Sequence, residues 1–275
     1  MFVSLNGELI RETEALVSVF DRGFLYGDGL FETTRIGEKG PEHWPAHYQR
    51  LAEGARFLKI PLNLSSEQLR RQSISLLQAN RQQRGILRIQ LTRGMGSRGY
   101  APPKNCVPLM VMTLHVEAER TRPASWSAIL STQQLDAHSP LNRYKTCNKL
   151  QHILAKMEAV ESGADEAILT NQSGQLVEGA GSNLFLVTDT EVITPPVSAG
   201  ALPGVTRSLV IGLCRELKIS CREMPIPREA LLQAEGAFVT FSTEGIVNLH
   251  SLDNAEYQMT PEASRLHSAY LRMRL

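Results

Sequence analysis

A lysine and a glutamate in the second half of the sequence have the types and surroundings that cofactor chemistry needs. Lys145, in LNRYKTCNKL, lies where a loop is expected to meet a helix, with Tyr144 and Cys147 beside it instead of solvating charges. Partial desolvation makes the free amine of a lysine available for Schiff-base chemistry. Glu178, in GQLVEGAGSNLF, lies between an apolar pair and a Gly-Ala-Gly turn, where a flat ligand can approach the backbone closely. Taken alone, each residue also fits an ordinary helix-start lysine or turn acid.

Three further segments have the residue types that bind anions. In ALPGVTR, Gly204 precedes a predicted helix whose first turn carries Thr206, and the free N–H groups and the dipole of a helix N-terminus suit a phosphate. FSTEG offers hydroxyls at a strand end, including Ser242. RGMGSRGY is a glycine-rich loop in which Arg93 and Arg98 each supply a planar fork for a carboxylate. Together with the lysine and the glutamate, these segments describe an aldehyde cofactor with a phosphate and a ring nitrogen, which is pyridoxal phosphate.

The elements that must position these residues are of mixed type. A helix is predicted from about Pro45 to Leu58, and a second from Ser65 or Ser66, where Ser65 and Gln68 offer a capping box. A third helix should begin just after Gly204. Alternation of apolar and polar residues predicts a half-buried strand around Leu87, Ile89 and Leu91, and one face of a further helix carries Leu150, Ile153, Leu154, Met157 and Val160.

The order of the elements predicts an α+β chain in two parts. The polar stretch after residue 117 interrupts the pattern and is the best candidate for a linker. We therefore predict an N-terminal α/β domain over residues 1–117, a linker over 118–126 and a C-terminal, cofactor-binding domain over 127–275.

Composition excludes several classes of function. The 275 residues carry 29 basic and 28 acidic side chains, so the net charge of +1 leaves no broad basic surface for nucleic acid. No apolar run has the length of a membrane span or a signal peptide, which predicts a cytoplasmic protein without a membrane partner. The four cysteines form no C-x-x-C pair and the seven histidines form no zinc pattern, so we expect reduced thiols and no metal.

The motifs occur in the order found in a known family. With them the chain resembles the fold-type IV pyridoxal-phosphate enzymes, the aminotransferase class IV family, over nearly all of its length. The segments that carry the resemblance are DRGFLYGDGLFET from Asp21, HYQRL from His47, YKTCNKL around Lys145, ADEAIL from Ala164, EGAGSNLF from Glu178 and LPGVTR from Leu202.

The resemblance implies a fold and a role for each motif. The fold would be a smaller N-terminal α/β sandwich and a larger C-terminal α/β barrel-like domain, with the active site between them and completed across a homodimer interface. Lys145 would be the Schiff-base lysine and Glu178 the partner of the pyridine nitrogen. The phosphate would be held by Arg50, Gly204, the main chain of Val205 and Thr206, the Thr206 hydroxyl and Ser242.

For Tyr26 and Glu32, and for His47, the motifs allow two interpretations each. Tyr26 and Glu32 either line the substrate pocket or belong to a tight turn followed by a strand. His47 either contributes to the site or braces the segment that carries Arg50.

The segment RGMGSRGYAPP favours one branch of the family, because it resembles the 4-amino-4-deoxychorismate lyases. On this interpretation the protein converts 4-amino-4-deoxychorismate to 4-aminobenzoate and pyruvate in folate precursor synthesis, with Arg98 binding a substrate carboxylate and Tyr100 shaping the ring pocket. D-amino-acid aminotransferases tend to have an arginine and a histidine where this chain has Arg98 and Tyr100, and branched-chain aminotransferases usually have a tyrosine where it has Leu150.

Two alternatives remain open. Glu32 in LFET and the EGAGSN run are similar to the aminotransferases, which would act on D-amino or branched-chain amino acids with 2-oxoglutarate. A chain with this fold could also bind pyridoxal phosphate without turnover, since a fold does not fix a function.

Overall fold

The structure is a computed structural model, and it describes residues 1–116, 125–189 and 191–274. Within this part of the chain, the residues up to 116 and the short segment Tyr144–Asn148 form one compact unit, and the other described residues form a second. Residues 118–124 of the predicted linker lie outside the described residues, while 125 and 126 begin a strand. The domain limits stay predictions.

The segment Tyr144–Asn148 groups with the first unit through backbone hydrogen bonds that the sequence did not predict. The Phe31 amide donates to the Lys145 carbonyl at 2.9 Å, and the Cys147 amide donates to the Gly29 carbonyl at 2.9 Å. The segment around the candidate lysine is therefore held against a strand of the first unit, although it lies far along the chain.

The first unit is built on a six-stranded antiparallel sheet with the strand order β2-β1-β6-β5-β3-β4. Its elements are β1 (Phe2–Leu5), β2 (Glu8–Arg11), α1 (Arg22–Tyr26), β3 (Gly29–Gly37), β4 (Gly40–Pro41), α2 (Trp44–Leu58), α3 (Ser66–Ala79), β5 (Arg84–Thr92) and β6 (Leu109–His115).

Local sequence accounts for these elements well. Leu87, Ile89 and Leu91 alternate on β5 and are buried, so the predicted half-buried strand is confirmed. The Gln68 amide donates to Ser65 Oγ and the Ser65 amide to Gln68 Oε1, which confirms the capping box of α3. Burial of one face of α2 and α3 with the sheet gives the unit its apolar core.

The second unit contains a ten-stranded sheet whose central strands close into a ring, in the order β10-β14-β15-β7-β8-β9 and back to β10. The β9–β10 closure is the single register pair Glu178–Asn183. The unit comprises β7 (Ser125–Leu135), α4 (Leu150–Glu161), β8 (Glu166–Asn171), β9 (Gln175–Gly179), β10 (Asn183–Val187), β11 (Val192–Thr194), α5 (Val205–Glu216), β12 (Cys221–Glu223), β13 (Ile226–Pro227), β14 (Gly236–Phe241), β15 (Gly245–Leu252), β16 (Ala255–Glu256) and α6 (Pro261–Arg274).

Helices cover one face of this sheet in two places. Phe185 and Phe238, from neighbouring strands, stack at 4.8 Å in the apolar cluster beneath α5 and α6. Helix α4 packs through Ala155 and Ala159. Its apolar face of Leu150, Ile153, Leu154, Met157 and Val160 is exposed to solvent in the single chain. No helix of the described residues has both the length and the apolar composition to cross a membrane.

Candidate active site

Glu32, His47 and Arg50 form a buried ionic cluster in the first unit. Helix α2 places His47 and Arg50 three residues apart on the face that packs against β3, where Glu32 lies. Arg50 Nε and Nη2 donate to the two Glu32 oxygens at 2.8 and 2.7 Å, and His47 Nδ1 lies 2.7 Å from Glu32 Oε2. Burial alone would raise the pKa of Glu32, but the charge of Arg50 and the hydrogen bonds from Arg50 and His47 lower it to about 2.

This cluster gives Glu32 a clear local task. The side chain is 1% exposed, and both of its oxygens accept hydrogen bonds within the cluster. Glu32 therefore fixes the guanidinium of Arg50, and His47 braces the same carboxylate. A substrate contact for Glu32 stays a prediction.

Lys145 is half-buried, and its amine lies against an aromatic ring of β3. The Nζ atom is 4.7 Å from the centroid of the Phe31 ring, and the Arg88 guanidinium is 4.1 Å from the same centroid. An amine over the face of an aromatic ring gains cation–π attraction whenever it is protonated. Phe31 was missed in the sequence, although it lies inside the LFET motif.

A buried arginine, Arg22, binds the backbone of the RGMGSRGY loop. Arg22 donates to the carbonyls of Gly99 and Tyr100 at 2.9 Å each, and its Nε donates to Asp28 at 2.8 Å. Arg93 also pairs with Asp28, at 2.8 and 3.0 Å. Burial would raise the pKa of Asp28, but the hydrogen bonds from Arg93 and Arg22 lower it. Arg22 and Arg93 thus both bind the Asp28 carboxylate at the base of the loop.

The predicted substrate residues lie on or beside this loop. The Gly99 amide donates to the Tyr26 hydroxyl at 3.2 Å, and the rings of Tyr26 and Tyr100 meet edge to face at 5.6 Å. Arg98 and Tyr100 are exposed. The structure therefore brings Tyr26 and Tyr100 together and leaves the Arg98 side chain open to solvent.

Glu178, in the second unit, is buried and is held by three donors of a different kind. Its Oε2 accepts from the Leu202 amide at 2.8 Å and from Asn183 Nδ2 at 3.3 Å, while His152 Nε2 lies 3.1 Å from Oε1. Neither the amide nor the Asn183 side chain carries a charge, so they orient the carboxylate without neutralising it. His152 and Asn183 were missed as site residues. For Asn183 the available signal was its place in the EGAGSN run.

A second buried carboxylate supports the turn that follows Glu178. Glu166 Oε2 accepts from Ser182 Oγ at 2.9 Å and from the Gly181 amide at 3.3 Å. A Cβ on Gly179 would lie 2.1 Å from Ser182 Oγ, so a larger residue there would disturb the hydrogen bond between Ser182 and Glu166. Glu166, from the ADEAIL motif, thereby fixes the backbone beside the candidate site.

The N-terminus of α5 has the properties of an anion site. The helix begins at Val205 after Gly204, as predicted, and no side chain caps it. Thr206 is 2% exposed, and its buried Oγ1 has no hydrogen-bond partner among the described residues. A Cβ on Gly204 would lie 1.9 Å from Asn183 Oδ1, so a larger residue there would displace the Asn183 side chain that bonds to Glu178.

Ser242 lies in the turn after β14 and is half-buried. A phosphate would accept hydrogen bonds from the uncapped N–H groups of α5 and from the buried Thr206 hydroxyl, so the residues present fit pyridoxal phosphate.

Among the described residues, no group of three or more His, Cys, Asp or Glu side chains is arranged to hold a metal ion.

Comparison with known proteins agrees with the motif series. The family model for amino-transferase class IV matches residues 29–252. The chain is 33% identical, over 92% of its length and 88% of the relative, to a Methanocaldococcus jannaschii protein provisionally named as a branched-chain-amino-acid aminotransferase. It is 30% identical to the D-alanine aminotransferase of Bacillus licheniformis, over 92% of this chain and 89% of that enzyme.

A solved structure extends the likeness to the fold. The 4-amino-4-deoxychorismate lyase of Pseudomonas aeruginosa matches with a TM-score of 0.85 and 28% identity, covering 97% of each chain. The predicted α+β fold of the fold-type IV enzymes, the family and the cofactor class are thereby confirmed. The chain belongs to the amino-transferase class IV family, whose enzymes depend on pyridoxal 5′-phosphate.

Proposed function

We propose that this protein is a pyridoxal-phosphate-dependent lyase that converts 4-amino-4-deoxychorismate to 4-aminobenzoate and pyruvate. The observation that carries this proposal is the anchored RGMGSRGY loop. Arg22 and Tyr26 hold its backbone, so that Arg98 and Tyr100 project to the outside. An arginine fork and an aromatic ring are the groups that a carboxylate-bearing cyclic substrate needs.

In the second unit, the first turn of α5, with Gly204, Val205 and Thr206, would bind the phosphate together with Ser242, and Glu178 would face the ring nitrogen. A phosphate contact for Arg50 stays a prediction of the family resemblance. When bound, pyridoxal phosphate supplies an electron sink for bond breaking at the carbon that carries the substrate amine.

In this assignment Lys145 has two tasks. Its Nζ would hold pyridoxal phosphate when no substrate is bound, and the free amine would act as the base that removes the proton from the amine-bearing carbon of the substrate. The same Nζ would then deliver that proton to the methylene of the enolpyruvyl group, so that the bond between the ring carbon and the ether oxygen breaks and the oxygen leaves with pyruvate. Glu178 stabilises the positive ring nitrogen throughout, while Arg98 binds a substrate carboxylate.

A second candidate function is transamination. Its specific support is the names of the two curated relatives, a branched-chain and a D-alanine aminotransferase. In that reaction Lys145 would carry the proton to the cofactor instead of to the substrate methylene, and the product would be a keto acid.

We also infer a homodimer in the cytoplasm. The exposed apolar face of α4 supports association, because contiguous apolar surface of this kind is rarely left in water. All four cysteines are free thiols, which supports a reducing compartment. Light scattering of the purified protein tests the dimer.

Product analysis tests the reaction. The cofactor-loaded protein is given fresh 4-amino-4-deoxychorismate, and 4-aminobenzoate and pyruvate are followed by chromatography, with Lys145→Ala as the inactive control. We expect both products in equal amounts over many turnovers. A keto acid from D- or branched-chain amino acids with 2-oxoglutarate, without 4-aminobenzoate, would instead establish the transaminase, and no product from either assay would leave a binding protein.

A further inference from the structure

His152 lies on the covered side of α4, opposite to the exposed apolar face. It shares this side with Ala155 and Ala159, three and seven residues further along the helix, and both alanines are fully buried. Alanines at these positions let the helix approach the sheet closely, because no longer side chain stands between them. The imidazole can therefore reach a carboxylate on β9.

The surroundings of the imidazole fit one tautomer. Nε2 lies 3.1 Å from Glu178 Oε1, and Nδ1 is buried without a hydrogen-bond partner among the described residues. A buried N–H without an acceptor is more costly than a bare ring nitrogen, so the proton belongs on Nε2. His152 then donates to Glu178 through Nε2–H.

His152 completes the set of donors around Glu178. The Leu202 amide and Asn183 both bond to Oε2, whereas His152 bonds to Oε1. Without this third bond, the described contacts would hold the carboxylate by one oxygen only, and it could rotate about its terminal torsion.

We propose that His152 is a positioning residue, whose Nε2–H fixes the Glu178 carboxylate in the orientation that receives the ring nitrogen of pyridoxal phosphate. The proposal rests on the proposed placement of the cofactor, but not on the identity of the substrate. The hydrogen bond to Oε1 sets the plane of the carboxylate, while the Leu202 amide and Asn183 hold Oε2.

Two substitutions of similar size separate donation from packing. His152→Gln keeps an N–H donor, and His152→Met removes it. His138, which is exposed in the same unit, provides the matched control His138→Met. Each purified apo-protein is titrated with pyridoxal phosphate, and the absorption band of the bound cofactor is recorded across pH.

We expect His152→Met to weaken cofactor binding about tenfold, the scale of one hydrogen bond to a charged group. The pH dependence of its band should also move, and His152→Gln should restore both properties toward those of the wild type. Thermal unfolding of the apo-proteins checks folding. If Gln and Met lower the melting temperature alike and neither moves the band, the role is structural and the proposal is overturned.

A double-mutant cycle gives the second readout. In a Glu178→Gln background, His152→Met should have little further effect on the band, because its target is gone. An undiminished effect there would contradict the proposal. The titrations need no substrate, so a lyase assay that fails while they succeed would overturn the proposed reaction and leave the role of His152 standing.

Discussion

The two glutamates Glu32 and Glu178 are both buried but have different partners. Glu32 faces the guanidinium of Arg50, a full positive charge held by two hydrogen bonds. Glu178 is held by a backbone amide, a side-chain amide and an imidazole. A carboxylate paired with arginine has its charge compensated inside the protein. A carboxylate that no arginine or lysine compensates can meet a cationic ligand, and the uncharged amides on Oε2 suit Glu178 to a protonated ring nitrogen.

The largest effect that would sharpen this contrast is on catalysis. Glu178→Gln keeps the shape but removes the charge, so we expect kcat of the cofactor-loaded enzyme to fall on the order of 10²- to 10³-fold. Stopped or continuous product assays at saturating cofactor measure this. Turnover within threefold of the wild type would show that catalysis does not depend on the charge of Glu178.

The corresponding change in the first unit should act on stability instead. Glu32→Gln leaves the buried Arg50 without a counter-charge, and we expect a loss of about 3–5 kcal/mol in the free energy of unfolding. Urea denaturation followed by circular dichroism measures it. A loss below about 1 kcal/mol would show that the ion pair is not compensating a buried charge.

The pH dependence of the free energy of unfolding tests the lowered pKa of the Glu32 carboxylate. Since the pKa of Glu32 falls from 4.5 to about 2 on folding, its contribution is fully present above about 4.5 and is lost as pH falls toward 2. The stability difference between wild type and Glu32→Gln should therefore shrink by roughly 3 kcal/mol over that range. A difference that stays constant with pH would contradict the lowered pKa.

A smaller effect should separate substrate binding from cofactor binding. Arg22→Gln removes the fork that holds the loop carbonyls of Gly99 and Tyr100. We expect KM for the substrate to rise about tenfold with the dissociation constant of pyridoxal phosphate unchanged, because the loop carries substrate residues only. A change in cofactor affinity with normal KM would reverse this assignment.

The smallest effect belongs to the second unit. Thr206→Val removes the unsatisfied buried hydroxyl at nearly constant volume, and we expect cofactor affinity to fall about threefold to tenfold with KM unchanged. Fluorescence titration of the apo-protein measures it. Tighter cofactor binding by the valine variant would mean that the hydroxyl does not meet the phosphate.

Local signals in the sequence predicted the elements whose cause is local. The capping box at Ser65, the start of α5 after Gly204 and the alternation on β5 all depend on residues within one turn or one strand. The motifs also pointed to Glu178 and Thr206, and the structure buries both side chains; their roles toward a cofactor stay predictions.

Contacts between distant segments could not be predicted in this way. Glu32 meets His47 and Arg50 across 15 and 18 residues, and His152 meets Glu178 across 26. Periodicity on α4 identified the residues that share its apolar face, but the structure buries the alanine side and leaves the apolar face in solvent. A helical pattern predicts which residues lie together, and only the fold decides which side is covered.

The most direct test compares the two glutamates through the cofactor itself. Wild type, Glu178→Gln and Glu32→Gln are loaded with pyridoxal phosphate, and their absorption spectra are recorded across pH. We predict that Glu178→Gln moves the band of the bound cofactor and its pH dependence, while folded Glu32→Gln retains the wild-type band. A band unchanged in Glu178→Gln, or moved equally by both substitutions, would contradict the assignment of Glu178 to the ring nitrogen.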